Sequence, residues 1–116
     1  MKVLLDNCVD RNVYSLFSNH EVKTAVEMGW DRLKNGDLLA ESSRRFDVLV
    51  TTDKNMRNQQ NLEKLPISVL ELDAPTSRFK DLKALAPYIP AALEATRTHR
   101  FVSIHADGRI ERLIER

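Results

Sequence analysis

Residues 46–55 read Phe-Asp-Val-Leu-Val-Thr-Thr-Asp-Lys-Asn, an apolar and β-branched run that passes directly into an acidic, amide-bearing turn. A continuous apolar run this short suits a strand buried on both faces, as in a parallel sheet. The chain opens with the same shape, Val3-Leu4-Leu5 leading into Asp6-Asn7. In an open parallel sheet, ligands bind outside the carboxyl ends of the strands. If these two strands are parallel neighbours, Asp6 and Asp53 emerge on one edge and face each other.

The rest of the chain alternates strand and helix patterns. Lys2 to Leu5 reads as a first strand, and Asp10 to Phe17 as a short helix with Val13, Leu16 and Phe17 on one side. Glu21 to Val26 alternates weakly and reads as a second strand. Asn35-Gly36-Asp37 opens a helix, with Asn35 as its cap and Asp37 in the first turn, where the dipole favours a carboxylate. Asn55 to Leu65 is a short polar helix ended by Pro66, and Ile67 to Leu72 is a fourth strand. Ser77 caps a helix carrying Phe79, Leu82 and Leu85, which Pro87 and Pro90 break into short pieces before Ala91 to Thr96. Phe101 to His105 and Arg109 to Leu113 flank Ala106-Asp107-Gly108, a hairpin signal because Asp-Gly tolerates positive φ.

This pattern predicts a three-layer α/β fold, with a central mostly parallel sheet flanked by helices and a C-terminal hairpin. The 116 residues suit one domain. Residues 1–99 form its body and residues 100–116 a hairpin extension. A lone hairpin is marginal in water, so it must pack on the sheet, extend its edge or pair with another chain; edge pairing or a homodimer contact is favoured.

Composition sets outer bounds. The net charge of +1 gives no global signal for nucleic acid, so local patches must decide. Cys8 is the only cysteine, which excludes an intrachain disulfide and points to a reducing cytoplasm. No signal-peptide pattern or membrane-spanning run is present. Cys8 lies near Asp6, but no histidine is placed by sequence to activate it, and a buried small hydrophobe is the expectation. His20, His99 and His105 lack zinc-ligand spacing. Trp30 is expected to cover the core beside Gly29.

Singly, Asp6, Asp37 and Asp53 are each explained by capping or by a helix dipole. Together they place two carboxylates at strand ends and a third at the start of a helix beside them. Hard divalent cations such as Mg²⁺ want carboxylate and water oxygens and take few protein ligands. Asn7 and Asn55 could add a carbonyl oxygen or orient water. Glu41, four residues after Asp37, shares its helical face.

Leu4-Leu5-Asp6-Asn7, Met28-Gly29-Trp30, residues 35–40 (Asn-Gly-Asp-Leu-Leu-Ala) and Val50-Thr51-Thr52-Asp53 resemble the small PIN-like proteins, a compact branch of the PIN-domain nucleases. The resemblance covers residues 1–95. It implies a PIN-like α/β/α fold and Mg²⁺- or Mn²⁺-dependent cleavage of RNA. It also implies a role as the toxin of a toxin–antitoxin pair, with a small antitoxin-like partner protein. Position by position, Asp6, Asp37 and Asp53 match the acidic positions and become the catalytic, metal-binding set. The chain departs from the pattern at Asn55, where many relatives carry a further aspartate, and one fewer carboxylate implies weaker metal binding.

The mechanism that follows is metal-assisted phosphodiester hydrolysis. Arg11, Lys34, Lys54 and Arg57 are the candidate phosphate contacts, Lys54 and Arg57 foremost because they follow the acidic turn directly. Arg44 and Arg45 read as an ordinary solvated face. The competing reading is a catalytically weak or inactive PIN-like protein that acts by binding a partner protein or nucleic acid. Asn55 and the near-zero net charge favour it.

Overall fold

The computed structural model describes residues 1–116. Six strands form one sheet: β1 (Lys2–Leu5), β2 (Glu21–Thr24), β3 (Val48–Thr51), β4 (Ser68–Asp73), β5 (His99–His105) and β6 (Ile110–Glu115). Their order across the sheet is β2-β1-β3-β4-β5-β6. The first five run parallel and β6 is antiparallel to β5. Four α-helices, α1 (Asn35–Ser42), α2 (Asn55–Gln59), α3 (Phe79–Lys83) and α4 (Ile89–Ala95), are joined by 3-10 turns at Arg11–Phe17, Leu62–Lys64 and Ala86–Tyr88.

The sheet is covered on both sides, which is why Val3-Leu4-Leu5 of β1 and Val48-Leu49-Val50 of β3 are continuous apolar runs. On one face Val3, Leu5, Val50, Leu70 and Val102 pack with Val13 and Phe17 of the first 3-10 segment and with residues of α3 and α4. On the other, Leu4, Leu49, Val69 and Phe101 pack under Leu38 and Leu39 of α1 and Met56 of α2. The three-layer α/β arrangement expected from the sequence is therefore present. Trp30 packs against this second core, edge-on to Phe46 with ring centroids 6.1 Å apart. No helix is long and apolar enough to cross a membrane.

Several local expectations are corrected. The helix expected at 10–17 is a 3-10 helix, opened by Asp10 accepting from the Asn12 amide at 2.8 Å. Asn35 is the first residue inside α1 rather than its cap, and Lys34 occupies the cap position without a side-chain bond. Ser77 caps nothing; Arg78 precedes α3, and its amide is bound by Thr76. The C-terminal hairpin is present and packs on the main sheet, one of the arrangements expected for it. Its first strand is the fifth parallel strand, with Val69 opposite Phe101 and Leu72 opposite Ile104, so the boundary expected at residue 99/100 falls inside β5. Only β6 extends the edge.

Candidate active site

From β1 the chain crosses to β2 on one side, and from β2 it returns to β3 on the other side of β1. The strand order thus reverses between β1 and β3, the kind of crevice where doubly wound sheets bind ligands. Asp6 leaves β1 and Asp53 follows β3, so both stand at this point. The Asp6 amide still donates to the Val50 carbonyl at 2.9 Å, which continues the sheet by one residue and fixes where the side chain emerges.

One hydrogen-bonded chain links the Asp6 carboxylate to the backbone of Asp53. Asp6 is 8 % exposed. Its Oδ1 accepts from the Asn7 amide at 2.7 Å and its Oδ2 from the Thr51 hydroxyl at 2.9 Å. The same hydroxyl accepts from the Asp53 amide at 3.0 Å. Asp53 Oδ1 accepts from the Asn55 amide at 2.9 Å, and Oδ2 from Asn35 Nδ2 at 3.3 Å. Asn7 and Asn55 therefore act here through their backbones. Asn35, expected as a cap, instead ties the start of α1 to the acidic turn.

Asp37 stands exposed in the first turn of α1, two residues after the Asn35 that bonds Asp53, and Glu41 is half-buried one turn further on. No three acidic, histidine or cysteine side chains converge closely enough to form a metal-holding group. The oxygen donors of Asp6 and Asp53 do suit Mg²⁺, which is commonly held by one or two carboxylates together with waters and substrate phosphates. Cys8 is exposed, not buried as expected. The turn after β1 places its sulfur 3.6 Å from Asp6 Oδ2, 3.5 Å from Thr51 Oγ1 and 3.3 Å from Thr52 Oγ1.

The cations divide into two groups. Lys54 Nζ lies 2.9 Å from Asp73 Oδ1. Arg57 Nη2 lies 2.9 Å from Glu111 Oε1 and 3.3 Å from Glu71 Oε1, with its guanidinium over the Phe101 ring. Both charges are thus answered within the protein. Arg11 and Lys34 are exposed, and neither takes part in an ion pair.

Lys54 and Arg57 belong to a polar network that the sequence reading missed. His105 Nδ1 is 2.8 Å from Asp73 Oδ2 and its Nε2 is 3.0 Å from Glu111 Oε1. Ser103 donates to Glu71 at 2.7 Å. The chain Lys54–Asp73–His105–Glu111–Arg57–Glu71–Ser103 joins the acidic turn to β4, β5 and β6. The Lys54 hydrogen bond is the main cause holding the Asp73 carboxyl below its usual range, with His105 adding to it against the effect of burial. The Arg57 hydrogen bond, then that of His105, does the same for Glu111. The hydrogen bond to Asp73 raises Lys54. Burial opposes the Arg57 charge, but Glu111 and Glu71 outweigh it and raise its pKa. A period-2 signal was available: Glu71 and Asp73, like Ser103 and His105, fall two apart on their strands and so share a face.

Beside Asp6 an open groove of about 1020 Å³ runs between the first 3-10 segment and the end of β2, and Arg11, Tyr14 and Val26 line it. No protein-family model, curated protein or solved structure matches the chain.

Proposed function

We propose that the protein is a divalent-metal-dependent ribonuclease with a PIN-like fold, working in the cytoplasm as the toxin of a toxin–antitoxin pair. The observation that carries this reading is the sharing of one hydroxyl, that of Thr51, by the Asp6 carboxylate and the Asp53 amide at the reversal of strand order. Asp6 and Asp53 would hold Mg²⁺ or Mn²⁺, with Asp37 of α1 as the further carboxylate. The chemistry such an ion would supply there is Lewis-acid polarisation of a phosphoryl oxygen and activation of a water as the nucleophile for in-line attack. Thr51 and the Asn7 amide orient the Asp6 carboxylate, and Asn35 orients that of Asp53, each occupying part of its lone-pair capacity and leaving the rest for ligands. Burial of Asp6 keeps its field from being screened by water.

The competing reading, an inactive protein of the same fold that binds a partner, is favoured by the neutralisation of Lys54 and Arg57 by carboxylates. One experiment separates them. RNA is incubated with the purified protein and Mg²⁺ or Mn²⁺, alongside Asp53→Asn and a chelator control. Cleavage that the chelator stops, and that Asp53→Asn cuts by at least the roughly 10–100-fold typical of losing even an outer metal partner, supports the enzyme. Absence of cleavage in either metal supports the binding protein. Growth arrest on expression, relieved by a neighbouring small reading frame, tests the toxin role separately.

A further inference from the structure

We propose that the groove beside Asp6 is a nucleotide subsite, in which Tyr14 stacks an unpaired base and Arg11 holds the adjoining phosphate. This rests on the nuclease reading and places the substrate strand on the β1–β2 side of the carboxylates, away from Lys54 and Arg57.

The groove has one wall built for display. Asp10 fixes the start of the 3-10 helix at Arg11–Phe17, while Val13 and Phe17 bury themselves in the core beneath it. Side chains three apart eclipse in a 3-10 helix, which sets Arg11 and Tyr14 one above the other. Both line the groove, as do Asp6 and Asn7, so the groove opens directly onto the carboxylate site. Tyr14 is 44 % exposed and Val26 60 %; only Tyr88 among the other large hydrophobic side chains is comparably exposed. Singly such side chains need no explanation, but two of the three line this one groove.

The kinds of side chain in the groove, rather than its net charge, point to the occupant. Arg11 is the groove's one cation and is in no ion pair. Glu27, the acid there besides Asp6, accepts from the Thr24 amide at 3.1 Å and lies 4.0 Å from Lys23 Nζ. An arginine that can position a phosphate, an aromatic ring that can stack a base and hydrogen-bonding side chains at Asn12, Ser15 and Thr24 are what a nucleotide strand requires. The ring can meet only a base that is unstacked from its neighbours, so the strand is single.

The test titrates an unstructured six-nucleotide RNA into the full chain, with Ca²⁺ in place of Mg²⁺, and reads fluorescence anisotropy. Tyr14→Ala and Arg11→Gln should each weaken binding about tenfold, Tyr14→Phe should keep it and Lys54→Gln should leave it unchanged. Arg11 and Tyr14 are exposed, so thermal unfolding of these variants should match that of the parent. Failure of the parent to bind, parental affinity in Tyr14→Ala and Arg11→Gln, or an equal loss in Lys54→Gln overturns the subsite. Metal-dependent cleavage is measured in parallel. Cleavage that survives in the parent while both groove variants bind normally sinks the subsite and leaves the nuclease. Binding through Tyr14 without cleavage in any metal leaves the subsite and sinks the nuclease. A groove that captures a second copy or a protein instead, with no oligonucleotide bound, also overturns it.

Discussion

The Thr51 hydroxyl donates to Asp6 Oδ2 at 2.9 Å and is itself fully buried. Because the same oxygen accepts from the Asp53 amide, one side chain sets the orientation of a carboxylate on β1 and the path of the turn after β3. Thr51→Val keeps the shape and removes both bonds, leaving a nearly buried carboxylate one donor short. A loss of about 1–3 kcal/mol in urea unfolding is expected, with Thr51→Ser close to the parent. A Thr51→Val protein of parental stability would show that the hydroxyl does not hold the site together.

The carboxylates should rank. Asp53 is tied to α1 through Asn35 and to its own turn through the Asn55 amide, while Asp37 is exposed outside that network. Calorimetric titration with Mn²⁺ should find binding nearly abolished in Asp53→Asn and reduced less in Asp37→Asn. The reverse order would move the metal from the strand ends to the helix.

The strand ends were legible because a short apolar run closed by an acid and an amide has few other uses in a parallel sheet. What Asp53 touches was not legible, since Asn35 looks like an N-cap when only its neighbours are considered. The Arg57–Glu111 pair joins residues 54 apart, and nothing local in a polar helix such as α2 distinguishes a cation that will meet RNA from one that will meet its own sheet. Asp107-Gly108 correctly signals the hairpin of β5 and β6, but the parallel pairing of β5 with β4 leaves no local mark. Local turn chemistry says where a strand ends and nothing about which strand lies on its other side.

The network around His105 predicts an acid limb in stability. The folded pKa values of Asp73 and Glu111 lie below their unfolded ones. Their contribution is therefore complete above the unfolded carboxylate range of about pH 4 and is lost as pH falls through the depressed folded values. Glu111→Gln should cost about 1–3 kcal/mol at neutral pH and shrink that difference in acid. A difference that stays constant from neutral pH into strong acid would mean that the ion pairs do not stabilise the fold.

Gly108 adopts φ 87° in the turn between β5 and β6. A Cβ there would sit 2.6 Å from Tyr88 Oη and 2.7 Å from Tyr88 Cε1. Gly108→Ala should cost roughly 1–3 kcal/mol, from the left-handed backbone and from displacement of the ring. In Tyr88→Ala the same change should cost only the backbone part, about 1 kcal/mol. An equal cost in both backgrounds would remove the ring from the account.

Deleting residues 100–116 should prevent folding rather than trim an appendage. Phe101, Val102 and Ile104 have no exposed surface in the interior of the sheet. Burying side chains of this kind is worth about 1.5–3 kcal/mol each, so the deletion removes a sum comparable with the roughly 5–15 kcal/mol that holds a whole domain folded. It also strips β4 of one of its two partner strands and leaves Glu71 without Ser103, its buried donor. The truncated chain should show no cooperative thermal transition by circular dichroism. A sharp transition near that of the intact protein would mean that the first four strands hold the fold without β5, and would return the hairpin to the status of an extension.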